Sequence, residues 1–373
     1  MQINVTKPFL PPLAEYQTYL DGIWRREWLT NHGPLSSELE LRLKEYLSLD
    51  YLLYVTNGTI ALQLGIKALG LSGEIITTPF SYVATTSTIV WENCTPAMVD
   101  ISPDSLNIDP EKIEQAITDK TSAIMATHVF GNPCEIDKID AIAKKHGLKV
   151  IYDAAHAFGT KYRGKSAFQY GDLSATSFHA TKLFHTIEGG AVICQTPELL
   201  KRVAEMRNFG HLSPTEFGLV GINGKNSEAH AAMGLCNLKY INEILAKRRE
   251  LHRRYKERLV GLPVRFQSIE PDCEYNHAYF PVIFESEEML LHVVATLNLN
   301  SINPRRYFYP SLSELDYVRQ AERTPISNDI SRRVLCLPLH FGLADEEKKK
   351  ILNRNVAGQS TKRCSSLKWT ISK

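Results

Sequence analysis

Short apolar runs rich in β-branched residues recur along the first half of the chain, with helical patterns between them. Several runs are apolar throughout and do not alternate with polar residues, which is typical of strands covered on both faces. The pattern predicts an α/β fold with a mostly parallel sheet. The last two runs are close enough in sequence to pair as a hairpin, so one strand is a candidate for antiparallel pairing. The runs are residues 51–56, 74–78, 95–99, 122–128, 148–153, 174–179 and 189–195.

The second half of the chain changes character. A helical pattern runs from Ser227 to about Lys247, and the stretch KRRELHRRYKERL continues as a long helix with one solvated face. Glutamates alternate with its basic residues, which favours an exposed helix over a nucleic-acid site. The segments AYFPVIF, SINPRRYFYP and VLCLPL then predict strands of a smaller α+β domain. We expect a large domain over residues 1–245 and a small one over 246–373, with an unassigned polar tail from about residue 355.

Composition narrows the class of partner. The 373 residues include 43 Lys and Arg against 41 Asp and Glu, so a net charge of +2 predicts neither nucleic acid nor a membrane surface as partner. Seven scattered cysteines without a C-x-x-C spacing indicate reduced thiols. Neither a leader peptide nor an apolar run of about 20 residues is visible, which predicts a cytoplasmic protein that binds small molecules or proteins.

One helix start is a candidate anion site. In TNGTIAL, a strand ends at residues 56–59 and a helix begins at once, so the free amides and the positive end of the helix point towards the carboxyl edge of the sheet. The alternative is that Asn57 and Thr59 only cap the helix. The stretch GINGKNS is not a phosphate-binding P-loop, because the required glycine is replaced by Leu219, and no G-x-G-x-x-G occurs.

Two further strand ends carry reactive groups. In LKVIYDAAHAFG a strand ends on Asp153, whose carboxylate can face a cationic ring nitrogen or cap the next helix. In SFHATKLFHTIEGG, Lys182 follows the next strand, and a desolvated lysine there can form a Schiff base, although most isolated lysines are solvated. His179 and His185 lack the spacing of metal ligands, so no metal site is predicted.

These groups match the requirements of pyridoxal phosphate. That cofactor needs a phosphate site at a helix terminus, an acidic partner for its ring nitrogen, a Schiff-base lysine and an aromatic side chain that stacks on the ring. Tyr82, in TTPFSYVATTS, follows a strand and is the aromatic candidate, although a tyrosine at such a position is more often part of the core.

The chain resembles the DegT/StrS aminotransferases, which synthesise amino sugars on nucleotide carriers, because several of its motifs occur in the same order as in that family. The resemblance covers roughly residues 5–350. It implies the fold of aspartate aminotransferase, with a mixed seven-stranded sheet in the large domain and a small α+β C-terminal domain. The motifs are TNGTIAL, TTPFSYVAT, VDI, DAAHAFG, SFHATK with the later EGG, RNFG and GINGKNSEAHAAMGL.

The resemblance assigns catalytic roles. Lys182 would hold pyridoxal phosphate covalently and then transfer the proton. Asp153 would pair with the pyridinium nitrogen, His156 would lie beside the ring oxygen, and Tyr82 would stack on the ring. Members with histidine at the lysine position dehydrate the sugar, so Lys182 implies transamination.

The resemblance also assigns binding roles. The amides of Gly58 and Thr59, with the hydroxyl of Ser177, would bind the cofactor phosphate. Asn223 would reach the phosphate from the neighbouring subunit, which implies a homodimer with shared active sites. The nucleotide diphosphate or sugar would contact residues of NPRRYFYP, although a structural ion pair is an alternative for the arginines. These candidates are Arg305, Arg306 and Tyr307.

The implied reaction has two stages. L-glutamate converts the cofactor to pyridoxamine phosphate, and a nucleotide-linked keto-deoxysugar then accepts the amino group. VTKPFLPPL and NPRRYFYP look most like members that aminate C4 of dTDP-4-keto-6-deoxyglucose, which gives dTDP-4-amino-4,6-dideoxyglucose for O-antigen or another glycan. The alternatives are C3 amination, a GDP- or UDP-sugar, a lyase-type relative, and a regulatory protein that binds the cofactor without turnover.

Overall fold

The computed structural model describes residues 2–318, 320, 323–343, 347 and 351. The seven apolar runs form one sheet of order β1-β7-β6-β5-β4-β2-β3. Six strands are parallel, and β7 pairs antiparallel with both β1 and β6. The predicted mixed seven-stranded sheet is therefore confirmed. The strands are β1 (Leu52–Val55), β2 (Glu74–Thr77), β3 (Thr95–Met98), β4 (Thr121–Thr127), β5 (Lys149–Asp153), β6 (Leu173–Ser177) and β7 (Gly190–Cys194).

Helices cover both faces of this sheet, as the continuously apolar strands require. On β1, Leu53 and Val55 pack in a cluster with the helices Gly58–Ala68 and Pro197–Arg207, whereas Leu52 and Tyr54 face a second cluster with the helices Pro34–Leu47 and Glu228–Leu238. The helices are α1 (Leu13–Arg26), α2 (Pro34–Leu47), α3 (Gly58–Ala68), α4 (Val83–Trp91), α5 (Pro110–Ile113), α6 (Ile136–His146), α7 (Pro197–Arg207), α8 (Glu228–Leu238), α9 (Ile241–Leu259), α10 (Glu287–Leu299) and α11 (Pro325–Arg333).

A smaller antiparallel sheet follows in the C-terminal part of the chain. Its order is β8-β9-β10, formed by β8 (Val264–Phe266), β9 (Pro281–Phe284) and β10 (Val334–Cys336). Helix α9 connects the two parts, because its first turns pack in the core of the large sheet and its later turns pack against β9 and α10. The helix passes through residue 245 without a break, so the division at 245/246 stays a prediction. The predicted tail from about residue 355 lies outside the described residues.

The first residues of the chain touch both parts. Ile3–Asn4 pairs in parallel with Ile302–Asn303, and Leu339 N donates to Val5 O (3.0 Å). Further along, the ring Nε2 of His185 donates to Phe9 O (2.7 Å), since its Nδ1 accepts from Ile187 N (3.2 Å). The opening segment therefore connects the C-terminal part with the loop that carries Lys182.

A single buried carboxylate joins the large sheet to α11. Asp100, just after β3, accepts hydrogen bonds at Oδ2 from Ile326 N (2.9 Å) and at Oδ1 from Ser327 N and Ser327 Oγ (both 2.8 Å). These donors lie at the N-terminus of α11, where a negative charge is favourable. Asp100, part of the VDI motif, thus caps a helix that is distant in sequence.

We expect Asp100→Ala to destabilise the protein by about 2–4 kcal/mol, because the donors of Ile326 and Ser327 at the start of α11 lose this acceptor. Chemical denaturation measures the change as a lower midpoint. Asp104→Ala is the control, since the Asp104 side chain is 72% exposed and only its 3.5 Å ion pair with Arg265 is lost. An unchanged midpoint for Asp100→Ala would contradict this account of the cap.

No helix among the described residues has the length and apolar character needed to cross a membrane. The six cysteines in the described part of the chain are free thiols.

Candidate active site

The carboxyl ends of the parallel strands surround a cavity of about 400 Å³. Strand ends and helix starts contribute side chains that lie far apart in sequence, as the topology of an open α/β sheet requires. Arg305 and Tyr307 close it from the C-terminal part of the chain. The cavity lining includes these predicted site residues: Gly58, Thr59, Tyr82, Asp153, His156, Ser177, Lys182, Arg305 and Tyr307.

The start of α3 forms one end of the cavity. Asn57 caps the helix, as its Oδ1 accepts from Ile60 N (2.8 Å), so the predicted capping role and the anion-site geometry occur together. The amides of Gly58 and Thr59 precede the first intrahelical bond, which Ala61 N donates to Asn57 O (3.1 Å). These free amides and the positive helix end suit an anion.

Glycine at position 58 is required by packing. A Cβ there would lie 2.9 Å from the Cβ of Ser177, at the end of β6. The absence of a side chain allows the helix start and the strand end to meet. The hydroxyl of Ser177 therefore lies beside the α3 amides.

Asp153 is buried at the end of β5. Thr85 Oγ1 donates to its Oδ2 (2.5 Å), and Ala155 N donates to its Oδ1 (3.2 Å). Burial raises the pKa of Asp153, while these two hydrogen bonds and the nearby Lys182 oppose that rise. The two donors fix the orientation of the carboxylate.

A short hydroxyl chain supports that carboxylate. Ser81 Oγ lies 2.7 Å from Thr85 Oγ1, and Thr127 Oγ1 donates to Ser81 Oγ (3.1 Å). The sequence interpretation missed these three residues. The available signal was their position at the ends of β2 and β4 and in the first turn of α4, on the same edge of the sheet as Asp153.

Lys182 lies in the loop between β6 and β7. Its amide donates to His179 O (2.8 Å), and the loop is closed at its base by the bond from Phe178 N to Gly189 O (2.7 Å). Desolvation lowers the pKa of Lys182 to about 8, although Asp153 raises it; Arg305 adds to the lowering. The amine is therefore neutral in a large fraction of molecules near pH 8.

This pKa predicts a distinctive pH profile for acylation of Lys182 by an amine reagent. A lysine of pKa 8 is half neutral at pH 8, compared with roughly 0.4% for an ordinary lysine. In peptide mass spectrometry of the cofactor-free protein after brief labelling, Lys182 labelling should rise with pH and level off above about 8. Lys201, with a side chain 80% exposed, serves as the control in the same digest. Parallel profiles for the two lysines would refute the shift.

His156 lies next to the cavity between aromatic rings. It stacks on Phe308, with ring centroids 5.9 Å apart, and meets Tyr279 at 4.7 Å. Burial, with a contribution from Lys182, lowers the pKa of His156 well below its usual value, so the ring is neutral. Its Nδ1 is buried and has no hydrogen-bond partner in the described part of the protein, which leaves it available to a ligand.

Of the remaining predicted residues, Tyr82, Arg305 and Tyr307 line the cavity, and two others do not. Tyr82 is 52% exposed at the start of α4, and the guanidinium of Arg305 lies 4.3 Å from the ring centroid of Tyr307. Arg306 and Asn223 do not line the cavity.

Arg306 is directed away from the cavity. Its Nη2 donates to Glu287 Oε1 (2.6 Å) and to Arg332 O (2.9 Å), and its guanidinium lies over the ring of Tyr309. The substrate contact expected for Arg306 is therefore replaced by the structural ion pair that the sequence had left as an alternative. Consecutive residues of an extended segment point to opposite sides, which is why Arg305 and Arg306 differ.

No metal cluster is present in the described part of the chain: nowhere do three or more His, Cys, Asp or Glu side chains converge. His179 instead lies 3.5 Å from Glu188 Oε1, and His185 binds a backbone carbonyl.

Comparison with known proteins finds a family model, related sequences and a solved structure that each match most of this chain. The model of the DegT/DnrJ/EryC1/StrS aminotransferase family matches residues 13–355. A dTDP-4-amino-4,6-dideoxy-D-glucose transaminase from Shigella dysenteriae is 42% identical over 352 residues, 92% of this chain and 95% of the relative. A GDP-perosamine synthase from Vibrio cholerae is 31% identical over 355 residues, 91% of this chain and 96% of the relative. The crystal structure of DesI in the presence of its TDP-sugar product has a TM-score of 0.89 at 33% identity, covering 94% of this chain and 91% of DesI.

Proposed function

Because the chain belongs to the DegT/DnrJ/EryC1/StrS aminotransferase family, we propose that it transfers an amino group to a keto-deoxysugar carried on a nucleotide. One observation carries the proposal: the Lys182 amine, with a pKa of about 8, lines the same cavity as the buried carboxylate of Asp153. An amine with a pKa near 8 is partly neutral at physiological pH and can both bind a carbonyl and move a proton.

The residues of the cavity fit pyridoxal phosphate. The amides of Gly58 and Thr59 and the hydroxyl of Ser177 suit its phosphate, and Tyr82 offers an aromatic face at the cavity mouth. The unpartnered Nδ1 of His156 suits a polar substituent of the ring. When bound, the cofactor withdraws electrons from the carbon that carries the amino group.

The side chains of the chain then have separate tasks. Lys182 Nζ takes up and returns the proton in the transfer, with pyridoxamine phosphate as the amine-carrying form of the cofactor. The carboxylate of Asp153 stabilises positive charge at the ring nitrogen, and Thr85 holds that carboxylate in position. His156 stays neutral and therefore adds no second cation beside Lys182.

For the substrate we favour dTDP-4-keto-6-deoxy-D-glucose, with L-glutamate as the amino donor and dTDP-4-amino-4,6-dideoxy-D-glucose as the product. The 42% identity to the Shigella transaminase supports this choice, and Arg305 supplies a cation at the cavity for the diphosphate. Such a product would serve O-antigen or other glycan synthesis in the cytoplasm. A GDP-sugar is the second candidate, favoured by the 31% identity to GDP-perosamine synthase, and C3 amination is the third.

We also propose a homodimer with shared active sites. Asn223 is exposed and does not line the cavity of its own chain, although its backbone bridges to Asn208. An exposed amide in this position is suited to reach a second copy. The expected role of Asn223 is a contact to the cofactor phosphate bound by the neighbouring subunit.

The experiment that tests the function separates the two stages. Purified protein loaded with pyridoxal phosphate is mixed with L-glutamate, and its absorption should change from the lysine-bound to the amine form with release of 2-oxoglutarate. A panel of dTDP-, GDP- and UDP-linked 4-keto and 3-keto sugars should then restore the first spectrum, and mass spectrometry identifies the product. Cofactor binding without any response to glutamate would favour a non-catalytic binding protein.

A further inference from the structure

Two side chains at the cavity have no task in the proposed mechanism. His179 and Glu188 stand opposite each other across the base of the loop that carries Lys182, with His179 Nε2 3.5 Å from Glu188 Oε1. The backbone bond from Ala180 N to Ile187 O (2.8 Å) holds this base closed. Both side chains line the cavity, and both keep about half of their surface exposed.

The hydrogen bonds of His179 assign its proton. Its Nδ1 accepts from Thr181 N (3.2 Å) and lies 2.8 Å from Thr181 Oγ1. With Nδ1 as acceptor, the proton of the neutral ring lies on Nε2, which faces Glu188. At 3.5 Å the ring is an electrostatic neighbour of the Glu188 carboxylate, whose oxygens keep most of their acceptor capacity unused.

The charge of Glu188 is unusual in this setting. Apart from Asp153, which faces the cofactor ring in the proposed mechanism, the other charged side chains of the cavity are cationic, namely Lys182 and Arg305, and the α3 terminus is positive. Within the described residues, neither a lysine nor an arginine pairs with the Glu188 carboxylate. A carboxylate there would repel another carboxylate, but it accepts hydrogen bonds from hydroxyl groups readily.

The two substrates of the proposed function differ in this chemistry. The amino donor, L-glutamate, carries two carboxylates, whereas the sugar carries hydroxyl groups. We propose that Glu188 accepts a hydrogen bond from a hydroxyl group of the sugar, and that His179 is a positioning residue for it. This inference rests on the proposed function and deepens it, because it gives one site a means to recognise its second substrate.

The test measures the two half-reactions separately by stopped-flow absorption, with Glu188→Gln in the loaded enzyme. The neutral, isosteric side chain should lower the second-order rate constant for the keto-sugar nucleotide by about 10- to 100-fold, as expected for a lost charged hydrogen bond. The rate with L-glutamate should change less than threefold. Calorimetry with the amino-sugar nucleotide should show a Kd raised by a similar factor, a readout independent of turnover.

Matched variants strengthen the test. Glu111→Gln is the same change at an 81% exposed side chain outside the cavity and should leave both rates unchanged. His179→Gln should reproduce the selective loss at smaller size. With a sugar analogue that lacks the recognised hydroxyl, the wild-type enzyme should slow to the rate of the Glu188→Gln enzyme. The rate of the Glu188→Gln enzyme itself should fall little further with this analogue.

Three outcomes would overturn the inference. The Glu188→Gln change could slow both half-reactions equally, or it could slow neither. The Glu188→Gln enzyme could also be slowed as much as the wild-type enzyme by each sugar analogue that lacks one hydroxyl. Glu188→Asp, which keeps the charge, provides a second variant if the first is unstable to heat. A wild-type enzyme that reacts with neither substrate would overturn the proposed function as well, whereas failure of this inference alone leaves wild-type turnover intact.

Discussion

The Lys182→Ala enzyme is expected to lose at least about 10⁴-fold in kcat, as is usual when the group that both bonds the reactant and moves its proton is removed. Lys182 is the lysine that lines the cavity, and its environment lowers its pKa to about 8. Alanine leaves no amine there. Product formation followed by mass spectrometry measures the loss.

Lys201→Ala is the control for this change, because Lys201 is a solvated lysine on α7 and should be dispensable. Circular dichroism should show that both variants are folded. A Lys182→Ala enzyme that keeps more than a tenth of wild-type kcat would contradict the central assignment.

The same variant also tests the shared active site. If Asn223 acts across the dimer, a hybrid of a Lys182→Ala subunit and an Asn223→Ala subunit contains one complete site. Where the Asn223→Ala parent is as inactive as the Lys182→Ala parent, random mixing of the two should then restore about a quarter of wild-type activity, since about half of the dimers are hybrids with one of two sites intact. Mixtures no more active than their parents would count against contact across the dimer.

The second large effect is expected for Asp153→Asn, with kcat lower by roughly 10²- to 10³-fold. Asparagine keeps the shape of the side chain, yet it removes the negative charge that faces the cofactor ring nitrogen in the proposed mechanism. Steady-state kinetics at saturating donor and acceptor measure the loss.

The Thr85→Val variant should show a smaller loss of activity than Asp153→Asn. It removes the 2.5 Å hydrogen bond to Asp153 but keeps the charge, so a loss of about tenfold is expected. Burial already raises the pKa of Asp153, and loss of the Thr85 bond should raise it further. The variant should therefore lose activity at a higher pH than the wild-type enzyme as the medium is acidified. Equal kcat for Asp153→Asn and wild type would refute the role of the carboxylate.

The large sheet was predictable because its strands are buried on both faces and therefore appear as continuous apolar runs. The same property explains why Gly58, Asp153, Ser177 and Lys182 could be placed together: each follows or ends a parallel strand, and such ends share one edge. The antiparallel strand β7 was signalled by its short connection to β6.

Other parts of the site depend on contacts that sequence patterns do not carry. Thr85 and Ser81 are ordinary helix-start residues until their hydroxyls are seen beside Asp153. Arg305 and Arg306 are equivalent in the sequence, and only the extended backbone, paired with Cys336, decides which of them faces the cavity.

The opening segment has a consequence for the order of folding. Its bonding partners lie at residues 185, 302–303 and 339, so it can be placed only after those later residues have been synthesised. Contacts between residues so distant in sequence form late, because the closure of a long loop precedes any gain from them. The bond between His185 and Phe9, which ties the loop around Lys182 to the opening segment, should thus be among the late contacts to form.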